Sequence, residues 1–272
     1  MIYASTACVG TRDLWETLDA YRAAGLTAVE LGATRIDDVS DLAHRLRGTG
    51  LDLAVHNYFP PPREPFVLNL ASPDDGIRRR SIELARNAID LCADIDAPFY
   101  SVHAGFVLDP VGRDGDGFAF ADPEPGAADV ALDRYADAYA QLSRHGGERG
   151  VAVLVENNVC TPSLRGKLLL QTADEFAELH RRVPETAILV DTGHLNVSAR
   201  TFGFDPTEFV EALGPAIGGW HLHANDGSAD THRPAGPDWW ALDLLGSAPV
   251  VVEARFADDA ALAAYVRELE AG

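Results

Sequence analysis

The segment VAVLVEN, residues 151–157, places five apolar residues in a row before a glutamate. A strand that is apolar on both faces indicates a parallel sheet that is covered on both sides. Seven further apolar runs occur along the chain, at 2–8, 28–32, 53–58, 99–105, 187–193, 218–224 and 250–256. Amphipathic segments with apolar residues three and four apart lie between them, as in RDLWETLDAYRAAG at 12–25. This pattern predicts alternating strands and helices.

Eight such units predict an α/β fold, a single closed (β/α)8 TIM barrel that occupies residues 1–272 as one domain. The competing architecture is a doubly wound open sheet, which usually has a glycine-rich phosphate loop after its first strand. Here the first strand leads into STACVGTRD, residues 5–13, which lacks the GxGxxG pattern. Two long loops are predicted after strands 3 and 4, at 59–75 and 106–129. Both leave the rim where barrel enzymes bind their substrates.

The composition limits the partners that we expect. The 272 residues include 42 acidic and 22 basic side chains, a formal charge of −20. Nucleic-acid binding depends on Lys and Arg that neutralise phosphates, so no nucleic-acid partner is expected. No apolar run approaches the ~18 residues that cross a bilayer, and MIYASTACVG has no basic leader, so no membrane span or signal peptide is expected. Three scattered cysteines fit a reducing, cytoplasmic location.

Ionisable residues stand at or just beyond the ends of the predicted strands. They are Glu30, His56, His103, Glu156, Asp191, His194, His221, His223, Asp230, His232 and Glu253. Strand ends meet at one rim of a barrel, where several buried carboxylates would repel each other unless cations lay between them. Mixed histidine and carboxylate ligation suits zinc, manganese, cobalt or iron better than calcium. The sequence therefore predicts a metal centre, while His44, His145 and His180, in helical segments, are expected on the surface.

Spacing within the motifs suggests which side chains cooperate. Alternation along HLH places His221 and His223 on one face of strand seven. His223, nearer the rim, is the predicted ligand, and His221, one layer deeper, is expected to orient a carboxylate or the substrate. In DTGH at 191–194 a glycine turn lets the aspartate and the histidine point into one mouth, and DTH at 230–232 places another such pair two residues apart.

With these motifs the chain resembles the xylose isomerase-like barrel superfamily, which includes sugar epimerases and type-IV apurinic endonucleases. The resemblance spans nearly the whole chain and rests on VHNY, FVLNLASPD, SVHAG, VLVENN, ILVDTGHLN, HLHANDG, DTH and VVVEAR. By comparison with the epimerases it implies one divalent ion held by Glu156, Asp191, His223 and Glu253. By comparison with the endonucleases, which hold three zinc ions, it implies five further ligands, namely His56, His103, His194, Asp230 and His232.

Three hypotheses about function follow. The first is a metal-dependent isomerase or epimerase of a small sugar or sugar phosphate. In this hypothesis Glu156 and Glu253 remove and return a carbon-bound proton. One to three divalent ions, zinc or manganese, stabilise the enediolate that forms. The second is a multi-zinc hydrolase or lyase that acts on a small phosphoester or sugar phosphate instead of duplex DNA. The third is a non-catalytic metal-binding or sugar-binding barrel. A homodimer is the assembly we consider for such a barrel.

Several residues are candidates for contact with the substrate. The predicted substrate-binding residues are His221, Arg255, Tyr58 and Asn158. Arg255 would lie on the same face as Glu253 if strand eight runs regularly to that point. Aromatic residues that could form an apolar wall beneath a sugar ring are Trp220, Trp239, Trp240, Phe59 and Tyr58.

Overall fold

The computed structural model describes residues 1–114 and 117–271, and its closed barrel of eight parallel strands confirms the predicted fold class. The barrel strands are Ile2–Ser5 (β1), Ala28–Leu31 (β2), Asp52–His56 (β3), Phe99–His103 (β4), Ala152–Glu156 (β7), Ala187–Asp191 (β8), Ile217–Leu222 (β9) and Val250–Val252 (β10). A short antiparallel hairpin, Gly112–Asp114 (β5) and Gly117–Ala119 (β6), stands outside the barrel. The order around the barrel is β1-β10-β9-β8-β7-β4-β3-β2.

Helices surround the barrel unevenly. They are Leu14–Ala23 (α1), Leu42–Gly48 (α2), Asp75–Asp94 (α3), Ala127–Arg149 (α4), Ala173–Arg182 (α5), Thr192–Phe202 (α6), Pro206–Leu213 (α7) and Asp259–Ala271 (α8). Two helices, α6 and α7, join β8 to β9, whereas the fully described segment 223–249 contains a 3-10 turn, Leu242–Leu244, and no α-helix. The prediction of one helix after every barrel strand is therefore wrong for the seventh strand–helix unit. Of the helices in the described ranges, none has the length and hydropathy that a membrane span needs.

The barrel interior changes from apolar to polar along the strand direction. Its lower layer consists of Tyr3, Ala28, Ala54, Phe99, Leu154, Leu189 and Val251. Because inward-facing positions recur every second residue, the next layer holds residues two positions further on, and these are polar: Ser5, Glu30, His56, Ser101, Glu156, Asp191 and Glu253. In β9 the corresponding position of the lower layer is Gly219. A Cβ at this position would lie only 3.1 Å from the Leu154 side chain, so the absence of a side chain makes room for Leu154. The polar layer thus rests on a closed apolar floor.

The two predicted long loops are present on the rim to which this polar layer leads. They connect β3 to α3 and β4 to α4, and residues 115 and 116 of the second loop lie outside the described residues. Asp109 joins the loops, because its carboxylate accepts hydrogen bonds from Asn69 Nδ2 at 2.9 Å and from Ser72 Oγ at 2.6 Å. The β5–β6 hairpin in the second loop was not predicted, since its strands are only three residues long.

Candidate metal centre

The structure brings all nine predicted ligands together at the carboxyl ends of the barrel strands. Five overlapping groups of three side chains have candidate ligand atoms within 4.8 Å of one another. Their members are Glu30, His56, His103, Glu156, Asp191, His194, His221, His223, Asp230 and His232. Glu253 adjoins them through its Oε2 atom, 3.1 Å from His221 Nδ1. The side chains form three neighbouring clusters, which we call the first, central and outer clusters.

The first cluster contains His56, His103 and Glu156. The Nε2 atoms of the two histidines lie 3.0 Å apart, and they lie 3.6 and 3.5 Å from Glu156 Oε2. Ser101 Oγ is 2.9 Å from Nδ1 of His56, which fixes the ring so that its Nε2 faces the carboxylate. Burial lowers the pKa of His103 to about 4, against the opposing effect of the Glu156 carboxylate. His103 is therefore neutral at pH 7 and has a lone pair for a cation.

The central cluster contains Glu156, Asp191, Glu253 and His221. The Nδ1 atom of His221 lies 3.8 Å from Glu156 Oε2, 3.7 Å from Asp191 Oδ2 and 3.1 Å from Glu253 Oε2. His221 and Asp191 are wholly inaccessible to solvent, and Glu156 is 2% exposed. Two carboxylates at such depth, with that of Glu253 16% exposed beside them, need compensating positive charge.

The outer cluster surrounds Asp230, in the loop after β9. Asp230 Oδ2 lies 3.3 Å from His194 Nε2 and 3.0 Å from His232 Nε2, and Asp230 Oδ1 lies 3.6 Å from His223 Nδ1. The rings of His223 and His232 stack with their centroids 4.1 Å apart. An aspartate among three imidazoles is a donor set that suits zinc.

The turn after β8 places residues of two clusters. Asp191 ends the strand and caps α6, accepting a hydrogen bond from the backbone N–H of His194 at 2.6 Å. Asn157 holds the Asp191 backbone from both sides, accepting from its N–H at 2.8 Å and donating to its carbonyl at 3.1 Å. Gly193 is required in this turn, because a Cβ there would overlap the His223 ring. The predicted convergence of the aspartate and the histidine of DTGH therefore has a local cause.

Unsatisfied polar atoms test whether this donor set fits a cation. Within residues 1–114 and 117–271, five buried carboxylate oxygens and imidazole nitrogens at the centre have no hydrogen-bond partner: Glu30 Oε2, Glu156 Oε2, His221 Nδ1, His223 Nδ1 and Asp230 Oδ1. An unpaired buried polar group is costly, and native structures contain few of them. All five are metal-ligand types, so the residues fit divalent ions.

Neighbouring carboxylates shift the pKa values of histidines in the outer and central clusters. Burial would lower the pKa of His232, but the Asp230 carboxylate raises it to about 9. Burial opposes the charged form of His194 and of His221 as well, yet nearby carboxylates raise both pKa values well above the ordinary value. For His194 these are Asp191 and Asp230. For His221, in the central cluster, they are Glu30, Glu253 and Glu156. Without a cation these imidazoles hold protons, and an ion must displace them.

We expect the chelator-treated protein to lose stability as the pH rises from 7 to 9.5. A histidine whose folded pKa is raised contributes stability that is fully present below its unfolded pKa and is lost as the pH rises through its folded pKa. For His232 this window extends from about 6.5 to about 9 and corresponds to about 3 kcal/mol. Urea unfolding in EDTA at several pH values measures it. His232→Gln should flatten the profile, and wild-type stability that is constant or rising with pH would contradict the expectation.

Glu30 was predicted from the sequence as one of the ionisable residues at the rim, but it was given no individual role there. It is wholly buried, and its Oε1 lies 3.1 Å from His221 Nε2. Ser101 Oγ donates to the same oxygen at 3.5 Å. Its position as the one charged residue in the apolar run AVELG is the signal that placed it at the rim. Since a carboxylate buried beside an imidazole commonly orients that ring, Glu30 belongs with the centre.

Two of the four predicted substrate-binding residues, Asn158 and Tyr58, line cavities that reach His103. His221 lies beside the central carboxylates, paired in the sheet with Asp191. The Nδ2 of Asn158 donates to the carbonyls of Gly105 and Leu169 at 2.8 Å each. Tyr58 accepts a hydrogen bond from the Phe66 N–H and lines a cavity beside His103.

Arg255 lies away from the clusters. The strand β10 ends at Val252 rather than continuing to 256, and the Arg255 N–H donates to the His232 carbonyl at 2.8 Å. Arg255 is exposed and lines a separate cavity of about 550 Å³ with Thr6 and Arg12. The condition that would place Arg255 beside Glu253, a regular strand to that point, is therefore not met.

A phenylalanine cluster, consisting of Phe106, Phe118 and Phe120, forms an apolar wall beside the metal centre. Its ring centroids lie 5.1–6.4 Å apart. Phe106 and Phe118 line two cavities that both reach His103, one of about 770 Å³ and one of about 340 Å³ that also reaches His194. Sequence analysis missed this wall because the hairpin that carries Phe118 was not predicted.

The predicted aromatic candidates lie mostly elsewhere. Trp220 and Phe59 are buried in the core between barrel and helices, and Trp239 and Trp240 pack against it. Tyr58 alone of the five lines the cavity beside His103.

Among the three histidines in helical segments, His44 and His180 are exposed as expected. The prediction of surface exposure was wrong for His145, which is 8% exposed and whose Nε2 lies 2.7 Å from Asp90 Oδ1.

The barrel, its rim clusters and the sequence together agree with one family. Residues 18–254 match the sequence profile of the xylose isomerase-like TIM barrel. The chain belongs to that family. A curated relative, an uncharacterized protein of Methanocaldococcus jannaschii, is 27% identical over 176 residues, which is 62% of this chain and 52% of the relative. The match thus spans about half the length of that relative.

Two solved structures show how widely this xylose isomerase-like fold is shared. A D-tagatose 3-epimerase-like protein is 18% identical, with a TM-score of 0.75 over 99% of this chain and 98% of the other. A Thermus thermophilus protein soaked with ZnCl2 is 22% identical, with a TM-score of 0.68 over 100% of this chain and 98% of the other. At these identities the likeness establishes the fold.

Proposed function

We propose that the protein is a divalent-metal-dependent isomerase or epimerase that acts on a small sugar or sugar phosphate by removing a carbon-bound proton and returning it through an enediolate. The observation that carries the proposal is the placement of Glu156 and Glu253. Glu156 ends β7 and Glu253 directly follows β10, and these two strands are separated by β8 and β9. Their carboxylates face a common imidazole, His221, at 3.8 and 3.1 Å. Family membership and the similarity to a D-tagatose 3-epimerase-like protein support this chemistry.

Both glutamates have the charge that a general base needs. Burial alone would raise their pKa values, but the surrounding histidines lower them: His103 and His221 for Glu156, and His221 for Glu253. Each carboxylate is therefore ionised at neutral pH and can accept a proton from carbon. One glutamate would remove the proton and the other would return it. Glu156 and Glu253 would help to hold a zinc or manganese ion, which would supply positive charge as negative charge develops on the substrate oxygens.

The test is a reaction in deuterated solvent. Ketopentoses and ketohexoses, with and without a phosphate, are incubated with the protein and added Zn2+ or Mn2+, and the product is analysed by NMR. Deuterium bonded to the epimerised or isomerised carbon is expected, as is loss of turnover in EDTA. Product without deuterium, or turnover that survives EDTA, would reject the mechanism.

We expect Phe106→Ala to raise KM about 10-fold while kcat changes less than about 3-fold. Phe106 borders both cavities beside the metal centre but carries no group that moves a proton. Removing a large apolar contact weakens binding of substrate and transition state alike. Steady-state kinetics measures the split. Phe202→Ala, an exposed position on α6, is the control, and a lower kcat with unchanged KM in Phe106→Ala would contradict a binding role.

A second candidate is a multi-zinc hydrolase or lyase acting on a small phosphoester or sugar phosphate. The outer and first clusters favour it, because a proton-transfer enzyme with one ion does not need them. Several ions per chain together with phosphate release from a sugar phosphate would support this alternative.

The charge of −20 remains our reason to expect no nucleic-acid substrate. Binding to an abasic duplex at low salt tests that expectation.

A further inference from the structure

The cavity of about 550 Å³ that Arg255 lines lies at the carboxyl rim of the barrel, between the loops after β1, β2 and β10. We call it the arginine cavity, because Arg12 and Arg35 line it as well. We propose that it binds the phosphate group of the substrate, so that the substrate is a sugar monophosphate whose phosphate lies away from the reacting carbons. The inference rests on the proposed function, to which it adds the substrate class.

The arginine cavity differs in charge from the rest of the protein. The whole chain has 42 acidic and 22 basic residues, yet three residues of the cavity wall are arginines, and no described residue of the wall is acidic. The three arginines come from three segments that are separate in sequence and meet only in the closed barrel. A protein whose net charge repels anions thus has one rim cavity with the opposite local charge.

The three arginines differ in how much charge they can offer to a ligand. Arg12 donates from Nη1 and Nη2 to the two carboxylate oxygens of Asp259, at 2.9 and 2.6 Å, so this pair is fixed and nearly neutral. Arg35 Nη2 lies 3.5 Å from Asp37 Oδ2, but the two side chains are 69% and 71% exposed, and exposed pairs are weak. The exposed Arg255 guanidinium has no hydrogen bond or ion pair with any described residue. Arg255 therefore provides the free charge, and Arg35 can add to it.

A phosphate monoester suits this cavity better than a carboxylate does. At pH 7 it carries about −1.5 to −2 charges and has three strong acceptor oxygens, so it can engage two guanidinium groups at once. A carboxylate carries one charge, which a single arginine satisfies through two parallel hydrogen bonds. A hydroxyl donor is also present in the wall. Thr6 Oγ1 accepts from the Gly32 N–H at 3.0 Å and from the Thr34 hydroxyl at 2.7 Å, which leaves its own hydrogen to donate.

The arginine cavity is connected with the metal centre on two sides. Ala33 lines this cavity and also the cavity of about 770 Å³ that reaches His103, so the two cavities adjoin. On the other side, the Arg255 N–H donates to the His232 carbonyl at 2.8 Å, and His232 Nδ1 lies 2.8 Å from the Glu253 carbonyl oxygen. Arg255 thus belongs to the segment that carries Glu253, one of the two proposed bases. A single sugar phosphate can therefore place its carbon chain at the metal centre and its phosphate among the arginines.

The first test measures binding of inorganic phosphate by calorimetric titration of the zinc-loaded and of the metal-free protein. Arg255→Gln should bind phosphate at least about 10-fold more weakly than the wild type in both forms, because a charged hydrogen-bond donor is lost, and it should keep its zinc content. Arg86→Gln, exposed on α3, is the matched control and should bind phosphate as the wild type does. Equal affinity of Arg255→Gln and the wild type would overturn the proposal. Phosphate binding that disappears with the metal would assign the phosphate to zinc and overturn it as well.

The second test compares substrates that differ only in the phosphate. Phosphorylated ketopentoses and ketohexoses should have a kcat/KM at least ~100-fold above that of the same ketoses without phosphate, since binding energy from the remote phosphate contributes to catalysis. Arg255→Gln should raise KM for the phosphorylated substrate about 10-fold and leave kcat/KM for the unphosphorylated one within about 2-fold of wild type. Equal kcat/KM for both forms in the wild type would contradict the proposal. A sugar acid that is preferred over the sugar phosphate would assign the cavity to a carboxylate instead.

The two tests separate this inference from the proposed function. If Arg255→Gln weakens phosphate binding and no ketose exchanges deuterium, the sugar chemistry fails while the phosphate subsite stands. If ketoses exchange deuterium but neither phosphate binding nor substrate preference depends on Arg255, the subsite fails while a metal-dependent isomerase remains supported.

Discussion

Replacing Glu156 by glutamine is expected to lower kcat/KM by at least ~1,000-fold and to remove at least one bound ion. The Oε2 atom of this carboxylate faces His56, His103 and His221 at 3.6, 3.5 and 3.8 Å. Its Oε1 lies 3.1 Å from His194 Nδ1. Glutamine has nearly the same shape, but its neutral amide neither compensates a cation nor accepts a proton from carbon. The loss should therefore affect binding of the ion and the proton transfer together.

The measurements are ketose turnover by chromatography and zinc content by elemental analysis. Glu185→Gln makes the same chemical change at an exposed position just before β8 and should leave both values within about 2-fold of wild type. A Glu156→Gln protein that keeps full metal content and loses only turnover would limit Glu156 to a base. One that keeps its turnover would remove this residue from the mechanism.

Gly193→Ala is expected to lower the zinc content and to destabilise the protein by about 1–3 kcal/mol. The added methyl group would occupy the space of the buried His223 ring. The Nε2 of this ring lies 3.0 Å from Asp191 Oδ2, and its Nδ1 lies 3.6 Å from Asp230 Oδ1. The ring cannot leave without separating its Nδ1 from Asp230. The metal-loaded protein should therefore lose stability from the overlap and from the missing ion.

Urea unfolding and zinc content measure this effect. Gly147→Ala is the control, because Gly147 is exposed within α4 and an added Cβ there has no atom within 4 Å. That variant should be neutral or more stable by up to about 1 kcal/mol. Unchanged zinc content in Gly193→Ala would show that His223 does not hold an ion.

Some parts of the site could be anticipated from sequence because they depend on local periodicity. The apolar runs ending in Glu156 and Asp191 predicted both the strands and the rim at which their carboxylates meet, since parallel strands align their carboxyl ends. The DTGH motif predicted that Asp191 and His194 converge, and the N-cap hydrogen bond between them is a local interaction.

Other parts depended on contacts between distant segments. Glu30 is 191 residues from its partner His221, and the β5–β6 hairpin is too short for a periodic signal. Strand β10 ends at Val252, and beyond it the Arg255 N–H bonds to the carbonyl of His232, a residue of the loop after β9. No pattern within one segment contains this information.

The sequence by itself determined the barrel and the rim at which the ionisable strand-end residues meet, because alternation of apolar and polar residues fixes which side chains face inward. The set of nine candidate ligands was implied by the resemblance to the xylose isomerase-like superfamily. Only the tertiary structure decided how those ligands group around Glu156 and Asp230, and which ring nitrogen of His221 and of His223 faces which carboxylate. The physical reason is that periodicity sets the direction of a side chain to within one face. The atom that a metal would meet depends instead on separations of 3–4 Å between strands that are far apart in the chain.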